Sequence, residues 1–248
     1  MPFYLSFLVN SLLLIVLMKG ISLLLSKKLS PSEKIDFFFL TPFLSARSIK
    51  HATIPLNGKV VMKFSFFGMA LVVGSLLAHQ TTWSGPSVIM LSPLVYFMTE
   101  VIGAFGQLAF SFRGSYVFPL HQHPLLSESL GDFWGKRWNR WARDWVRDVS
   151  QNTKKEALPL QIGVSFFFSG LFHEVMFNLP LWLYSKENYF GTMMVYFLIQ
   201  GMGLVIEKKY LRHLSSFWRR LYLWLVVILP SPLFLCGSFL KLLGISYG

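Results

Sequence analysis

Residues 158–183 read LPLQIGVSFFFSGLFHEVMFNLPLWL. As a helix rising about 1.5 Å per residue, this run is long enough to cross the roughly 30 Å hydrocarbon core of a bilayer. Its only ionisable residues are the neighbours His173 and Glu174. Counted from Leu158, His173 falls roughly 20 Å along the span, near mid-membrane. Ionisable groups are expensive at that depth, so the pair marks a functional site by default.

The composition outside this run agrees with a membrane setting. Of 248 residues, 54% are hydrophobic, 17% aromatic and only 14% charged. That leaves too little polar surface for a soluble globule of this size. Long apolar runs at Phe3–Leu25, Val60–Ala78, Pro86–Phe110, Leu158–Leu183 and Tyr189–Ile206 each predict a spanning helix. A sixth, Leu221–Leu243, is expected to bend or split at Pro230 and Pro232. The run Phe37–Leu44, interrupted by Pro42, is too short to cross and is expected to lie in the interface or re-enter. The expectation is an all-α, polytopic bundle of about six spans forming a single domain, 1–248. The first run lacks a basic leader and a small-residue cleavage site, so it is expected to remain as a span.

Charge follows the same map. Nineteen of the 23 Lys and Arg fall in residues 26–59, 111–157 and 207–220, with Lys19, Lys63, Lys186 and Lys241 elsewhere. The positive-inside rule places those three segments in the cytosol and both termini opposite. The net charge of +12 is then explained by topology and attraction to anionic lipid, without nucleic acid. The lone Cys236 permits neither an intrachain disulfide nor a Cys-based zinc site and reads as apolar filler.

The segment 127–149, SESLGDFWGKRWNRWARDWVRDV, spaces Trp134, Trp138, Trp141 and Trp145 at 4, 3 and 4 residues, which makes one helical stripe. Lys136, Arg140, Arg143 and Arg147 take the opposite face. Ser129 and Asp132 form a capping-box-like start, and Asp132 sits four residues before Lys136. This is an amphipathic interfacial helix, with indoles at headgroup level. A membrane anchor would need no more. Asn139, which lies off the indole stripe and both donates and accepts hydrogen bonds, does not fit a mere anchor.

Ser129–Asn139, SLGDFWGKRWN, closely resembles the S-L-x-D-F-W-G-x-R-W-N signature of the wax synthase-like branch of the membrane-bound O-acyltransferases. Phe168–Glu174, FSGLFHE, is similar to the S-G-x-x-H-E signature that follows in that branch, and the 34-residue separation of Asn139 and His173 matches the family's arrangement. Phe39–Ile49, FLTPFLSARSI, is only loosely similar to a family segment. The resemblance implies acyl transfer from an acyl thioester, usually acyl-CoA as co-substrate, to a hydroxyl on a lipid-like acceptor such as a fatty alcohol, sterol or terpenoid. It implies His173 as the catalytic residue and Asn139 as a second functional position that orients the thioester or the histidine. No permanently bound cofactor or metal is implied. Many members are longer, so either the core is reduced or a second copy, in a homo-oligomer, or another partner completes the chamber.

The residues suit that chemistry. An alcohol must lose its proton as it attacks a thioester, and neutral imidazole is a suitable base. His173 is the only histidine within an expected span. A thioester is already activated, so neither Ser169 nor Cys236 is assigned as a nucleophile. Cations such as Lys136 and Arg137 are expected to hold CoA at the cytosolic mouth, with Phe133, Trp134 and Trp138 beside the substrate. Because adjacent residues point about 100° apart on a helix, Glu174 is expected to bond Asn178 and clamp another span, through Glu100 or Gln107, rather than orient His173. The Trp helix must dip inward for Asn139 to approach His173. His121 and His123 lack acidic or Cys neighbours and read as loop residues, not metal ligands. Gly201 and Gly203 suggest close helix packing. The competing class is a transporter using His173, Glu174 and Glu100 as a polar pathway.

Overall fold

The computed structural model describes residues 3–25, 30–40, 45, 58–111, 117–150 and 158–246. Among these the structure is helical. Four helical stretches are long and apolar enough to cross a membrane: Phe3–Leu25, Gly58–His79, Gly85–Ala109 and Pro159–Ser185. They are α1 (Phe3–Leu25), α3 (Gly58–His79), a 3-10 turn leading into α4 (Ser92–Ser111), and α7 (Leu158–His173) running through a π turn, Glu174–Asn178, into α8 (Leu179–Ser185). The short helix α2 (Pro31–Leu40) includes the first half of the Phe37–Leu44 run, and the rest of that run lies outside the described residues. Most of Phe39–Ile49 also lies outside them.

The last two expected spans differ from the other four. The helix α9 (Thr192–Ile206) has 15 residues and continues as a π turn, Glu207–Leu211. At about 1.5 Å per residue its α-helical part reaches only ~22 Å. The final run is split, as its prolines predict, into α10 (Ser216–Ile228), α11 (Ser231–Phe234) and α12 (Gly237–Leu242). Proline removes a backbone donor and clashes with the preceding turn. The broken pieces fold inward, burying Leu235, Phe239 and Leu240 against Val88, Leu91, Leu94 and Phe177.

Large apolar side chains remain outside, as on α3, where Met62, Phe66, Met69 and Leu76 are all exposed. Such a surface suits lipid rather than water. The interior is organised around α9, whose buried face carries Met193, Tyr196, Phe197, Gln200, Gly201, Gly203 and Leu204, the 3-and-4 spacing of one helical stripe.

Helix α7 approaches α9 closely because both present glycine. A Cβ on Gly170 would meet the Met194 Cα at 2.9 Å, and one on Gly201 would meet the Phe166 Cβ at 3.2 Å. Gly203 similarly admits Val226 and Leu130. Small residues let membrane helices approach at backbone distance, where lipid offers no competing hydrophobic drive. Gly163, on the same helix as Gly170, has nothing within 4 Å of its would-be Cβ. G170A should therefore destabilise the fold by about 1–3 kcal/mol through forced separation. G163A should be neutral or slightly stabilising, because alanine is the better helix former. Thermal unfolding of both variants in one detergent checks this contrast.

Candidate active site

His173 ends α7, and the π turn begins at the next residue, where the Leu179 N–H donates to the Glu174 carbonyl. Such single π turns commonly accompany functional positions. The imidazole is half-buried among Phe177, Phe197 and Phe234, with ring centroids at 6.1, 4.5 and 5.4 Å. Its Nδ1 lies 2.6 Å from the Ser169 carbonyl oxygen. A carbonyl can only accept, so Nδ1 carries the proton, and the neutral ring keeps its lone pair on Nε2. That nitrogen makes no hydrogen bond among the described residues. Phe234 reaches the ring because the chain breaks at Pro230, and the adjoining Ser231 hydroxyl is tied to Ser92 at 2.9 Å.

Glu174 is buried and both its oxygens are engaged. Oε2 accepts from Asn178 Nδ2 at 2.5 Å, and Oε1 accepts from the Met194 N–H of α9 at 2.9 Å. Asn178 also donates to the Tyr189 carbonyl at 2.9 Å and accepts from the Ser238 hydroxyl. The pair thus meets α9 and the segment leading through α12. Glu100 and Gln107 are held elsewhere, Glu100 by Lys63 at 2.5 Å and Gln107 by the Val117 carbonyl at 3.0 Å.

The tryptophan segment is not one helix. It forms α5 (Leu130–Asp132), a π turn Phe133–Arg137, a break at Trp138–Asn139, and α6 (Arg140–Ser150). Ser129 does cap its start, accepting from the Asp132 N–H at 3.0 Å. The buried Glu207 accepts from the Leu130 and Gly131 N–H groups at 3.1 and 2.7 Å, so the end of α9 pins the start of the motif. Partial burial pushes the Asp132 carboxyl up. The Arg137 bond at 2.6 Å, the Glu128 amide and the Arg137 and Lys136 charges outweigh it and hold the group below its ordinary range.

The indoles do not form one exposed stripe. Trp141 and Trp145 are buried, donating to the Phe118 and Met18 carbonyls at 3.2 and 2.8 Å. An indole N–H seeks an acceptor when buried, and these backbone carbonyls supply it. Trp134 packs edge-on against Phe166, lies 6.1 Å from Phe197, and donates to the buried Gln200 at 3.3 Å. Phe197 therefore lies between Trp134 and His173. The π turn and the break change the direction of the chain between Phe133 and Arg140. Phe133 is 3% exposed and stacked on Trp138 within the core.

Asn139 occupies the left-handed region, φ 37°, which L residues other than Asn and Asp rarely visit. Its Oδ1 caps α6 by accepting from the Ala142 N–H at 3.1 Å, and its own N–H donates to His121 Nδ1 at 3.0 Å. None of these bonds reaches His173, so a direct orienting contact between Asn139 and His173 is absent among the described residues. His121, read from sequence as an ordinary loop residue, is 3% exposed and donates from Nε2 to Thr99 Oγ1 at 2.9 Å. The H-x-H pattern gave no signal of this. Gln200, a polar residue inside the apolar run Tyr189–Ile206, and Glu207, just past its end, were also missed, although polar residues in such a setting invite notice.

Residues 117–200, from the segment holding His121 through Gln200, match the sequence model described as "Membrane bound O-acyl transferase family". Over those residues the chain is similar to the membrane-bound O-acyltransferases. The chain is also similar to "Probable long-chain-alcohol O-fatty-acyltransferase 8" of Arabidopsis thaliana, 29% identical over 175 residues, which cover 64% of this chain and 51% of the relative. It is similar to "Probable long-chain-alcohol O-fatty-acyltransferase 9" of the same plant, 25% identical over 170 residues, covering 61% and 49%. The chain spans about half the length of these curated relatives. Their names agree with the wax synthase-like branch of the membrane-bound O-acyltransferases.

His121 makes the fold sensitive to acid. Burial, and secondarily the Lys63 cation, push its imidazole down to about 3 from an ordinary 6.5. Below 6.5 the unfolded chain takes up a proton that the folded chain refuses until about 3, so stability falls as pH drops through that window. Lys63, Tyr96 and Glu100, on α3 and α4, are common to wild type and variants. The thermal midpoint of wild type should therefore fall more than that of H121N between about pH 7 and 5.

Proposed function

We propose that this chain transfers a fatty acyl group from acyl-CoA to the hydroxyl of a long-chain alcohol, with His173 Nε2 as general base. The observation that carries this reading is the bond from His173 Nδ1–H to the Ser169 carbonyl, which leaves the opposite lone pair open inside an aromatic enclosure. The names of the relatives favour a long-chain alcohol over a sterol or terpenoid.

The step balances without an acyl-enzyme. Nε2 takes the alcohol proton as the oxygen attacks the thioester carbonyl, the C–S bond breaks, and the departing CoA thiolate takes that proton back. General-base catalysis of this kind contributes on the order of 10²–10⁴-fold. Asn139 is assigned to the donor rather than to His173. Its Oδ1 is committed to α6, whereas Nδ2 has no partner among the described residues and can donate to the thioester or its pantetheine arm. Both cations pair with Asp132, Lys136 at 3.5 Å and Arg137 at 2.6 Å, and Lys136, whose side chain is 76% exposed against 27% for Arg137, is the better CoA-binding cation. In this reading Lys136 and the motif segment face the cytosol. Asp132, Glu174 and Asn178 serve as supports for the two motifs.

The transporter reading has less to stand on. Glu100 is neutralised by Lys63, and both oxygens of Glu174 are bonded within the fold.

Membranes containing wild type, H173A or H173Q, supplied with labelled acyl-CoA and a long-chain alcohol, test the assignment. Ester formation should fall by at least about 100-fold in both variants, at equal membrane content. Turnover like that of wild type in H173A rejects the base.

A further inference from the structure

We infer that His121 is a positioning residue for the proposed transfer, holding the Asn139 backbone through its Nδ1 lone pair and thereby aiming the Asn139 carboxamide at the donor. The inference rests on the donor-side role given to Asn139 above.

The break between the π turn and α6 exposes an N–H at Asn139 that no helix satisfies. An orphaned donor in a half-buried place is costly, and so is the strain of a left-handed non-glycine residue. The segment preceding the motif resolves both. Leu120 O accepts from the Arg140 N–H at 2.8 Å, the Gln122 N–H donates to Arg137 O at 2.8 Å, and between them His121 Nδ1 accepts from the Asn139 N–H at 3.0 Å. Three bonds therefore lace residues 120–122 to residues 137–140, and the central one is made by a side chain.

The imidazole is fixed in its turn. Thr99 Oγ1 donates its own hydrogen to the Val95 or Tyr96 carbonyl, so it accepts from His121 Nε2–H. That sets the tautomer with the lone pair on Nδ1, facing Asn139. Trp138 lies on the ring, centroids 4.2 Å apart. Both nitrogens are committed, which leaves His121 neither a metal-ligating nor a proton-accepting role. With Oδ1 of Asn139 capping α6, Nδ2 is the one group of that side chain free to meet a ligand. Its direction is set by the backbone that His121 holds, and α4 supplies the anchor.

Two substitutions separate this role from mere packing. In H121N the side-chain oxygen can stand near Nδ1 and keep the bond to Asn139. In H121Q the amide reaches the Nε2 position, keeping Thr99 and releasing Asn139. The full chain, purified in detergent, is measured for amide hydrogen exchange across residues 138–140 and for ester formation from acyl-CoA. H121N should keep protection and most activity. H121Q should exchange the Asn139 amide about tenfold faster and form ester about tenfold more slowly, the size of one lost hydrogen bond. In an N139A background, H121Q should cause no further loss of activity. Indistinguishable behaviour of H121N and H121Q overturns the inference, as does a loss that multiplies with that of N139A. If H121Q loses protection at undiminished turnover, positioning alone is rejected. If wild type forms no ester, the proposed activity fails and takes the positioning role with it.

Discussion

The structure depends on the close approach of α7 to α9 at Gly170. With no Cβ between the helices, the Met194 backbone comes within reach of α7, and its amide can bond Glu174. The same approach sets His173 against Phe197. A bulkier residue at Gly170 would separate the carboxylate from its donor and the imidazole from its aromatic wall together. In lipid, apolar side chains gain little by associating with one another, so close backbone packing and internal polar bonds carry the association.

Every buried polar group near the site follows that rule. Glu174, Gln200 and Glu207 each accept from a partner on another part of the chain, and Gln200 also donates to the Val226 carbonyl at 2.8 Å. Along one side of α9, these contacts tie the histidine-bearing helix, the last broken span and the start of the Asn motif to a single element. A π turn adjoins each of the two motifs and a third follows α9 at Glu207, where the extra residue per turn resets which side chains face inward. His173 stands apart because one of its nitrogens is satisfied and the other is left open.

Much of the fold was legible because membrane helices are written in composition. The four long spans lie within a few residues of the apolar runs, and Pro230 and Pro232 split the last run as their chemistry requires. Ser129 is legible as a helix cap. The tryptophan stripe misled because spacing of 4, 3 and 4 describes one helix only if the backbone continues, and nothing local announces that Asn139 turns left-handed. That turn is stabilised by His121, 18 residues away, through a side-chain acceptor invisible to periodicity. Spacing is equally blind to the burial of Trp141 and Trp145, whose backbone acceptors at Phe118 and Met18 lie far from them in sequence. Glu174 and Asn178 were paired by helical spacing alone, but their partners beyond the helix could not be, because the turn after α8 and the broken C-terminal helices bring those partners in.

The central claim is the protonation pattern of one ring, Nδ1 occupied and Nε2 open. Nitrogen-15 NMR of histidine-labelled protein in lipid, with the His173 signals assigned by their loss in H173Q, reads that pattern directly. The account predicts a neutral His173 protonated at Nδ1, with Nε2 showing the shift of an unprotonated ring nitrogen. A neutral ring protonated at Nε2, or an imidazolium at neutral pH, would contradict it.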